Sequence, residues 1–366
     1  MKAIPSATPT ITPSRKTYIK TGRIYGRGVD DLTVSRVGKK LKIGLTYDLR
    51  DDYLKEGYGL EETAEFDLPD TIAALEKVIA NNGYQVDRIG HIKALTRRLA
   101  RGDRWDLVFN IAEGVCGFGR EAQVPALLEA FNIPYTFSDP LGNAVTLHKG
   151  ITKQILRDLG IPTPDFGVIK DVRDIENLSL TFPLFAKPVA EGTGKGITSS
   201  SKITNRQNLQ KVCKHLLKSF GQPVLVETYL PGREFTVGIL GTGKDARALG
   251  VLEVVLKPNA ERNAYSYENK EHYDKLVEYV LVNDDEARKA MEISLMAWRA
   301  LDLRDAGRVD LRSDAHGVPN FMEVNSLAGL NPVRSDLPIL CSKIGMSYHS
   351  LISAILKSAL KRAKQS

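Results

Sequence analysis

Asp310, Glu323 and Asn325, with Arg308 beside them, are the residue types that hold a divalent cation and a phosphate. Mg2+ takes oxygen ligands, keeps several waters, and is usually bound by one or two carboxylates together with substrate phosphates. An arginine next to such a group offers paired donors to a phosphate or a developing oxyanion. The segments GRVDLRSD and PNFMEVNS alternate apolar and polar residues and are separated by Ala315-His316-Gly317, the pattern of a hairpin. Alternation along a strand puts Glu323 and Asn325 on one face, and Asp310 can join them from the neighbouring strand. Taken alone, the same residues fit an ordinary solvated hairpin equally well, because acids on strands mostly face water.

Two further segments could bind a nucleotide. The glycine-rich AEGTGKGI, residues 190–197, follows a strand ending in Lys187 and Pro188. Glycines let backbone N–H groups approach a phosphate closely, and Lys187 or Lys195 can neutralise it. It is not a P-loop, which needs Lys followed by Ser or Thr where Gly196 stands; GTGKD at 241–245 fails the same test and reads as a hairpin turn. In VLVETYLPGREF, residues 224–235, Glu227 and Glu234 flank the end of a strand, where an acid can accept from an adenine amino group or ribose hydroxyls. Most glutamates so placed are simply solvated.

The elements that must position these groups follow from periodicity. From residue 41, LKIGLTY, a long acidic connector, DTIAALEKVIANNG, YQVDRIG, HIKALTRRLARG and WDLVFNIAEG alternate strand and helix patterns, which predicts a parallel α/β sheet. Gly83 and Gly102 stand where helix C-terminal caps are expected. AVTLHKGITKQILRDLG predicts one helix, stopped by Gly160 and Pro162. The helix NLQKVCKHLLKSFG and the strands PVLVETYL, EFTVGIL and ALGVLEVVL come next, then a long polar loop from about Pro258 to Asp284 and the helix DEARKAMEISLMAWRALDL. The tail, MSYHSLISAILKSALKRAKQS, is an amphipathic helix whose basic end complements its dipole.

Composition sets the frame. The chain has 366 residues, 42% hydrophobic and 26% charged, enough for two or three globular domains. Residues 1–40 carry nine Lys/Arg against Asp30 and Asp31, which accounts for the whole net charge of +7. Basicity confined to an arm with Pro5, Pro9 and Pro13 points to a flexible extension rather than to a nucleic-acid-binding face. The three cysteines are far apart and no CxxC or HExxH occurs, so a disulfide framework and a zinc site are not expected and a cytoplasmic setting fits. No apolar run approaches the roughly 18 residues of a membrane span.

In order, FNIAEG, IPYT, LHKGITKQILRDLGIPTP, FPLFAKPVAEGTGKG, VLVETYLPGREFTVGIL, GRVDLR and FMEVNSLAGLNP resemble the ATP-grasp superfamily, and within it the D-alanine–D-alanine ligases. The resemblance implies an α/β and α+β fold in three domains after the 1–40 extension. These are an N-terminal α/β substrate domain at 41–139, a central lobe at 140–227 and a C-terminal catalytic lobe at 228–366, with ATP between the two lobes. It further implies that Lys149 and Lys187 meet the ATP phosphates beneath a mobile loop containing Glu191, Gly192, Thr193, Gly194 and Gly196, with Lys270 in a second mobile loop. Glu227 and the backbone of Thr228, Tyr229 and Leu230 match the adenine contacts, and Glu234 the ribose acid. Asp310, Glu323 and Asn325 match the ligands of two Mg2+ ions, for which Mn2+ could substitute, and Arg308 with the backbone of Gly329 the oxyanion stabilisers. Such enzymes phosphorylate a carboxylate, and an amine then attacks the acyl phosphate, with positioning and charge neutralisation supplying most of the catalysis.

The substrate half departs from the family. Thr46-Tyr47-Asp48 and the acidic GYGLEETAEFD replace the family's glycine-rich first motif, leaving Glu62 or Glu65 to meet the first substrate's ammonium. Glu113-Gly114 stands for His-Gly, Gly119-Arg120-Glu121-Ala122 for Gly-Glu-Asp-Gly, Thr193-Gly194 for Ser-Ser, and Lys270-Glu271 for Lys-Tyr. Arg334, with Ser335 beside it, takes the place of the serine on the second substrate's carboxylate. The expectation is a ligase for substrates other than two D-alanines. Arg334 would favour an acceptor with an exposed or additional carboxylate, and Glu113 and Glu121 a cationic group. The alternatives are a true D-alanine–D-alanine ligase and a nucleotide-binding regulatory protein without ligase activity. The implied partners are a small carboxylate or amino-acid donor, an amine acceptor and a second copy in a homodimer, with neither membrane nor nucleic acid.

Overall fold

A computed structural model describes residues 40–257 and 276–365. The expected basic extension, apart from Lys40, lies outside these residues, as do Lys270 and Glu271. Three sheets carry the architecture.

The first sheet is parallel, with β1 (Lys42–Thr46) between β2 (Gln85–Arg88) and β3 (Leu107–Asn110). β3 ends the ladder yet is buried throughout: Leu107 and Phe109 lie in one core cluster, Val108 in another, and Val108 bridges to Tyr135 alongside. The acidic connector after β1 contains the short helix α1 (Arg50–Lys55), and α2 (Pro69–Asn81) and α3 (Ile92–Ala100) make the crossovers. Pro69 opens α2, where its missing N–H costs nothing, and the helix buries Ile72, Leu75, Val78 and Ile79 at three- and four-residue spacing. The helix α4 (Gln123–Ala130) then covers the other face with α3.

The helix predicted across residues 144–160 is two helices, α5 (Pro140–Leu147) and α6 (Lys149–Asp158). His148 breaks it: its backbone leaves the helical region and its Nδ1 accepts from Ile151 N at 3.2 Å, capping the second helix. The break places Lys149 at the first position of α6, on the side of the glycine-rich loop.

The second sheet contains β4 (Phe166–Ile169), β5 (Leu184–Pro188), β6 (Lys202–Ile203) and β7 (Val224–Thr228), antiparallel in the order β4-β7-β5-β6. One helix, α7 (Arg206–Phe220), covers it with Leu209, Cys213 and Leu216; Asn205 caps its start and Gly221, at φ 61°, ends it. The third sheet is also antiparallel, in the order β10-β9-β8-β11-β12. Its strands are β8 (Glu234–Leu240), β9 (Arg247–Leu256), β10 (Val277–Val282), β11 (Ala306–Ser313) and β12 (Pro319–Asn325). β10 falls inside the stretch read from sequence as a polar loop. Its VEYVLV alternation is satisfied by antiparallel pairing with β9. The helix α8 (Asp285–Ala300) seals one face of this sheet through Ala290, Ile293, Ala297 and Trp298.

The chain ends in α9 (Asp336–Lys343) and α10 (Tyr348–Ala363). Among the described residues no single helix is long and apolar enough to cross a membrane. The bent α9–α10 pair passes on length and composition alone, yet its Leu340, Leu351, Ile352, Ile355 and Leu356 are buried in the core.

Candidate active site

β11 and β12 build the centre of the site. Their register pairs Arg308 with Asn325 and Asp310 with Glu323, so all four side chains share a face. The pairing slips between Asp310 and Leu311, a bulge of the kind that re-aims side chains beside a site. Thr236 Oγ1 donates to Asp310 Oδ1 at 2.8 Å, and Asn325 Nδ2 donates to Asp310 Oδ2 at 3.2 Å. Arg308 Nε donates to the same Oδ2 at 3.3 Å while Nη1 donates to Asp336 Oδ2 at 2.5 Å. Tyr279 donates its hydroxyl to Asp336 Oδ1 at 2.6 Å.

Two adjoining cavities of about 370 and 100 Å3 open on this face, and Lys149, Gly192, Arg308, Glu323 and Asp336 line both. The smaller lies between the second and third sheets, with Lys187, Glu191, Gly194, Thr228, Tyr229, Leu230, Glu234 and Asp310 in its wall. Arg312 Nη1 donates to Glu234 Oε2 at 3.3 Å, and its guanidinium carbon lies 5.3 Å from the Tyr229 ring centroid. Lys149 Nζ donates to the Glu191 carbonyl at 2.6 Å and sits 3.4 Å from Glu323 Oε2, tying the glycine-rich loop to the acidic hairpin. Gly196 lines neither cavity. It turns that loop at φ 73°, packed so closely that a Cβ would lie 2.7 Å from Pro188.

Glu227 is placed beneath the smaller cavity rather than in its wall. It is wholly buried, with Lys153 Nζ 2.9 Å from Oε2 and Lys187 Nζ 3.0 Å from Oε1. Burial opposes its charge, but the two ammoniums together hold the carboxyl below its ordinary range. Lys153 also donates to the Phe321 carbonyl at 3.0 Å, and burial pushes its ammonium down to about 8. Sequence reasoning missed Lys153, although it stands one helical turn from Lys149, a spacing that gives neighbours on α6.

The larger cavity collects Glu65, Glu113, Glu121, Asn325, Gly329, Arg334 and Ser335. Glu62 is not among them: it is exposed and accepts from Gly59 N at 2.7 Å, serving its own turn. Glu65 reaches the glycine-rich loop, where Oε2 receives Lys195 at 3.0 Å and Arg120 at 3.2 Å. Burial opposes its ionisation, yet Lys195 and Arg120 outweigh burial and hold the carboxyl low. The reverse holds for its neighbours. Burial, reinforced by Glu121 and Glu65, raises Glu113 well above the usual carboxylate range; burial, opposed by Arg120, pushes Glu121 up to about 7. Arg334 is half-exposed at the rim and already paired with Asp70 at 2.6 Å, so a bidentate clamp on a substrate is not preformed. Ser335 precedes α9, and its Oγ accepts from Asn331 N at 3.0 Å close to Gly329. Asp336 and Tyr279 were not anticipated, because only the folded register brings α9 and β10 to Arg308.

Among the described residues no group of three or more His, Cys, Asp or Glu is set to hold a metal by itself. Two carboxylates and an amide are instead the donor set of a cation that completes its shell with waters and phosphates, as Mg2+ does.

The family description "D-ala D-ala ligase C-terminus" matches residues 155–357. The D-alanine–D-alanine ligase of Aquifex aeolicus is 34% identical over 286 residues, 77% of this chain and 92% of that one. The uncharacterized protein y4sG of Sinorhizobium fredii is 36% identical over 262 residues, 70% of this chain and 75% of that one. The D-alanine–D-alanine ligase of Bacillus anthracis, solved with ATP, superposes with a TM-score of 0.67 at 22% identity, covering 89% of this chain and 99% of that one. The chain belongs to the D-alanine–D-alanine ligase family, ATP-dependent ligases built on the ATP-grasp fold.

Proposed function

We infer that the protein joins a small carboxylate donor to an amine through an acyl phosphate, and that its substrates are not two D-alanines. The observation that carries the reading is the junction of the two cavities, where Arg308 and Glu323 meet Lys149 and the glycine-rich loop. In this reading ATP occupies the smaller cavity, its base against Thr228, Tyr229 and Leu230 and its ribose on Glu234. Lys149 and the loop at 191–196 hold the phosphates; Lys187 supplies charge from below. Asp310, Glu323 and Asn325 would hold two Mg2+ ions, or Mn2+ in their stead, which neutralise phosphate charge. Arg308 and the Gly329 N–H stabilise the oxyanion as the amine nitrogen bonds to the acyl carbon, the carbon–oxygen bond breaks, phosphate leaves with the electron pair and a proton is released. The division at 139/140 and 227/228, a homodimer and a cytoplasmic setting belong to the same reading.

The altered substrate half supports other substrates: Glu113 and Glu121 enter the larger cavity, and Arg334 is bound to Asp70. The second reading, a genuine D-alanine–D-alanine ligase, is favoured by the 34% identity to a relative of that name. ATP-dependent phosphate release against a panel of carboxylates, amino acids and amines, with mass measurement of the product, separates them. A product other than di-D-alanine is expected; D-alanine pairs outrunning every other combination would overturn the substrate assignment. Glu323→Gln is expected to abolish turnover while leaving thermal unfolding nearly unchanged, and full activity in that variant would remove the metal assignment.

A further inference from the structure

An α-amino-acid acceptor brings a carboxylate next to its nucleophilic nitrogen, and that carboxylate needs a cation. Among the described residues, four cations line the larger cavity: Arg50, Lys149, Arg308 and Arg334. Arg334 is paired with Asp70 at 2.6 Å, and Lys149 lies against Glu323 and the glycine-rich loop. Arg50 donates to the Thr63 and Ala64 carbonyls at 3.0 and 2.7 Å. Arg308 remains, the arginine where the acyl group would react. One of its two terminal nitrogens, Nη1, already donates to a carboxylate, that of Asp336, which is 7% exposed, fixed from its other oxygen by Tyr279, and lines both cavities. Asp336 is also the first residue of α9, so it spends on an internal anion the helix N-terminus that would otherwise attract an external one.

We propose that Asp336 determines acceptor specificity: its carboxylate occupies on Arg308 the place a substrate carboxylate would take, so the acceptor is an amine with no carboxylate beside its nucleophilic nitrogen. A second anion brought there meets Asp336 and Asp310 at close range, and like charges juxtaposed in a confined site repel one another strongly. Other acids of the same cavity point the same way. Glu113, Glu121 and Asp67 line the cavity with no Lys or Arg within ion-pair distance among the described residues, which suits a positively charged acceptor such as a diamine. The proposal rests on the ligase reading and narrows it to a class of amine.

The test uses the full chain with Mg2+ and ATP. Hydroxylamine, a small neutral nucleophile, first traps the acyl phosphate as a hydroxamate and so identifies a donor. With that donor, an α-amino acid, its carboxamide and an α,ω-diamine are compared as acceptors by phosphate release and product mass. The carboxamide and the diamine are expected to exceed the amino acid in kcat/KM by about tenfold or more, and Asp336→Asn to shift that ratio toward the amino acid by a similar factor. A wild-type protein that prefers the free amino acid overturns the proposal while leaving the ligase reading intact, and this comparison needs no variant to fold. A ratio unmoved in a folded Asp336→Asn protein overturns it equally. No hydroxamate from any donor would instead sink the ligase reading, and the acceptor proposal with it.

Discussion

Glu65, Glu113 and Glu121 lie within one cavity, yet their environments drive them apart. Glu65 stays ionised because Lys195 and Arg120 outweigh burial, whereas Glu121 is pushed up to about 7 by burial that Arg120 only partly offsets. The consequence for stability has a definite sign. Below about pH 4.5 Glu121 is protonated in both folded and unfolded chains and contributes no difference. Between there and about 7 the unfolded chain ionises first, so the folded state loses stability as pH rises, and above that window the loss is complete. Glu121→Gln is therefore expected to stabilise the protein at pH 8 by roughly 1–3 kcal/mol and to leave it unchanged at pH 4. Urea unfolding of both proteins at the two pH values measures this. An equal effect at both would mean that Glu121 is not held in its neutral form. Such strain is uncommon in a group that serves only the fold, and its place in the cavity fits a carboxyl awaiting a cation.

At the scale of elements, the glycine-rich loop shows how packing converts residue type into function. Gly196 has a backbone that side chains resist, and a Cβ there would meet Pro188 at 2.7 Å and the Phe220 ring at 2.9 Å. Gly196→Ala must displace the loop from its seat on β5 and α7, and the expected cost is about 1–3 kcal/mol, read as both a lower melting temperature and weaker ATP binding. Calorimetric titration with ATP decides the matter, since unchanged affinity would separate this loop from the nucleotide. The acidic hairpin was legible from strand alternation, and the family likeness anticipated the glycine loop, because both depend on local pattern. The break at His148 was not, since a histidine cap is invisible in an otherwise helical sequence. β10 was missed for the opposite reason: six residues at the end of a polar stretch become a strand only when β9 offers its edge. Asp336 and Lys153 fall in the same class. Each is unremarkable in sequence and gains a role only when Arg308 or Glu227 is brought beside it.

On the scale of the whole molecule, the two ends of the described chain share one core. α10 brings Leu351, Ile352, Ile355 and Leu356 into a cluster with Ile43, Leu45, Ile72 and Ile79 of the first sheet and its crossover, and with Leu240 and Ala306 of the third sheet. A helix shared in this way couples the unfolding of the sheets it touches, because removing its side chains leaves a cavity that both must line. Leu356, 1% exposed, is the direct probe: Leu356→Ala is expected to cost about 2–5 kcal/mol. The chain has only two tryptophans, and they report on different places. Trp105 packs with α3 and α4 on the far face of the first sheet, and Trp298 with the third sheet beneath α8. With one tryptophan at a time replaced by phenylalanine, urea unfolding followed by fluorescence is expected to show both transitions moving together to lower urea in the Leu356→Ala background. A shift at Trp105 with none at Trp298 would show that α10 stabilises the first sheet alone, and that the cavities beside Arg308 lie between parts that unfold independently.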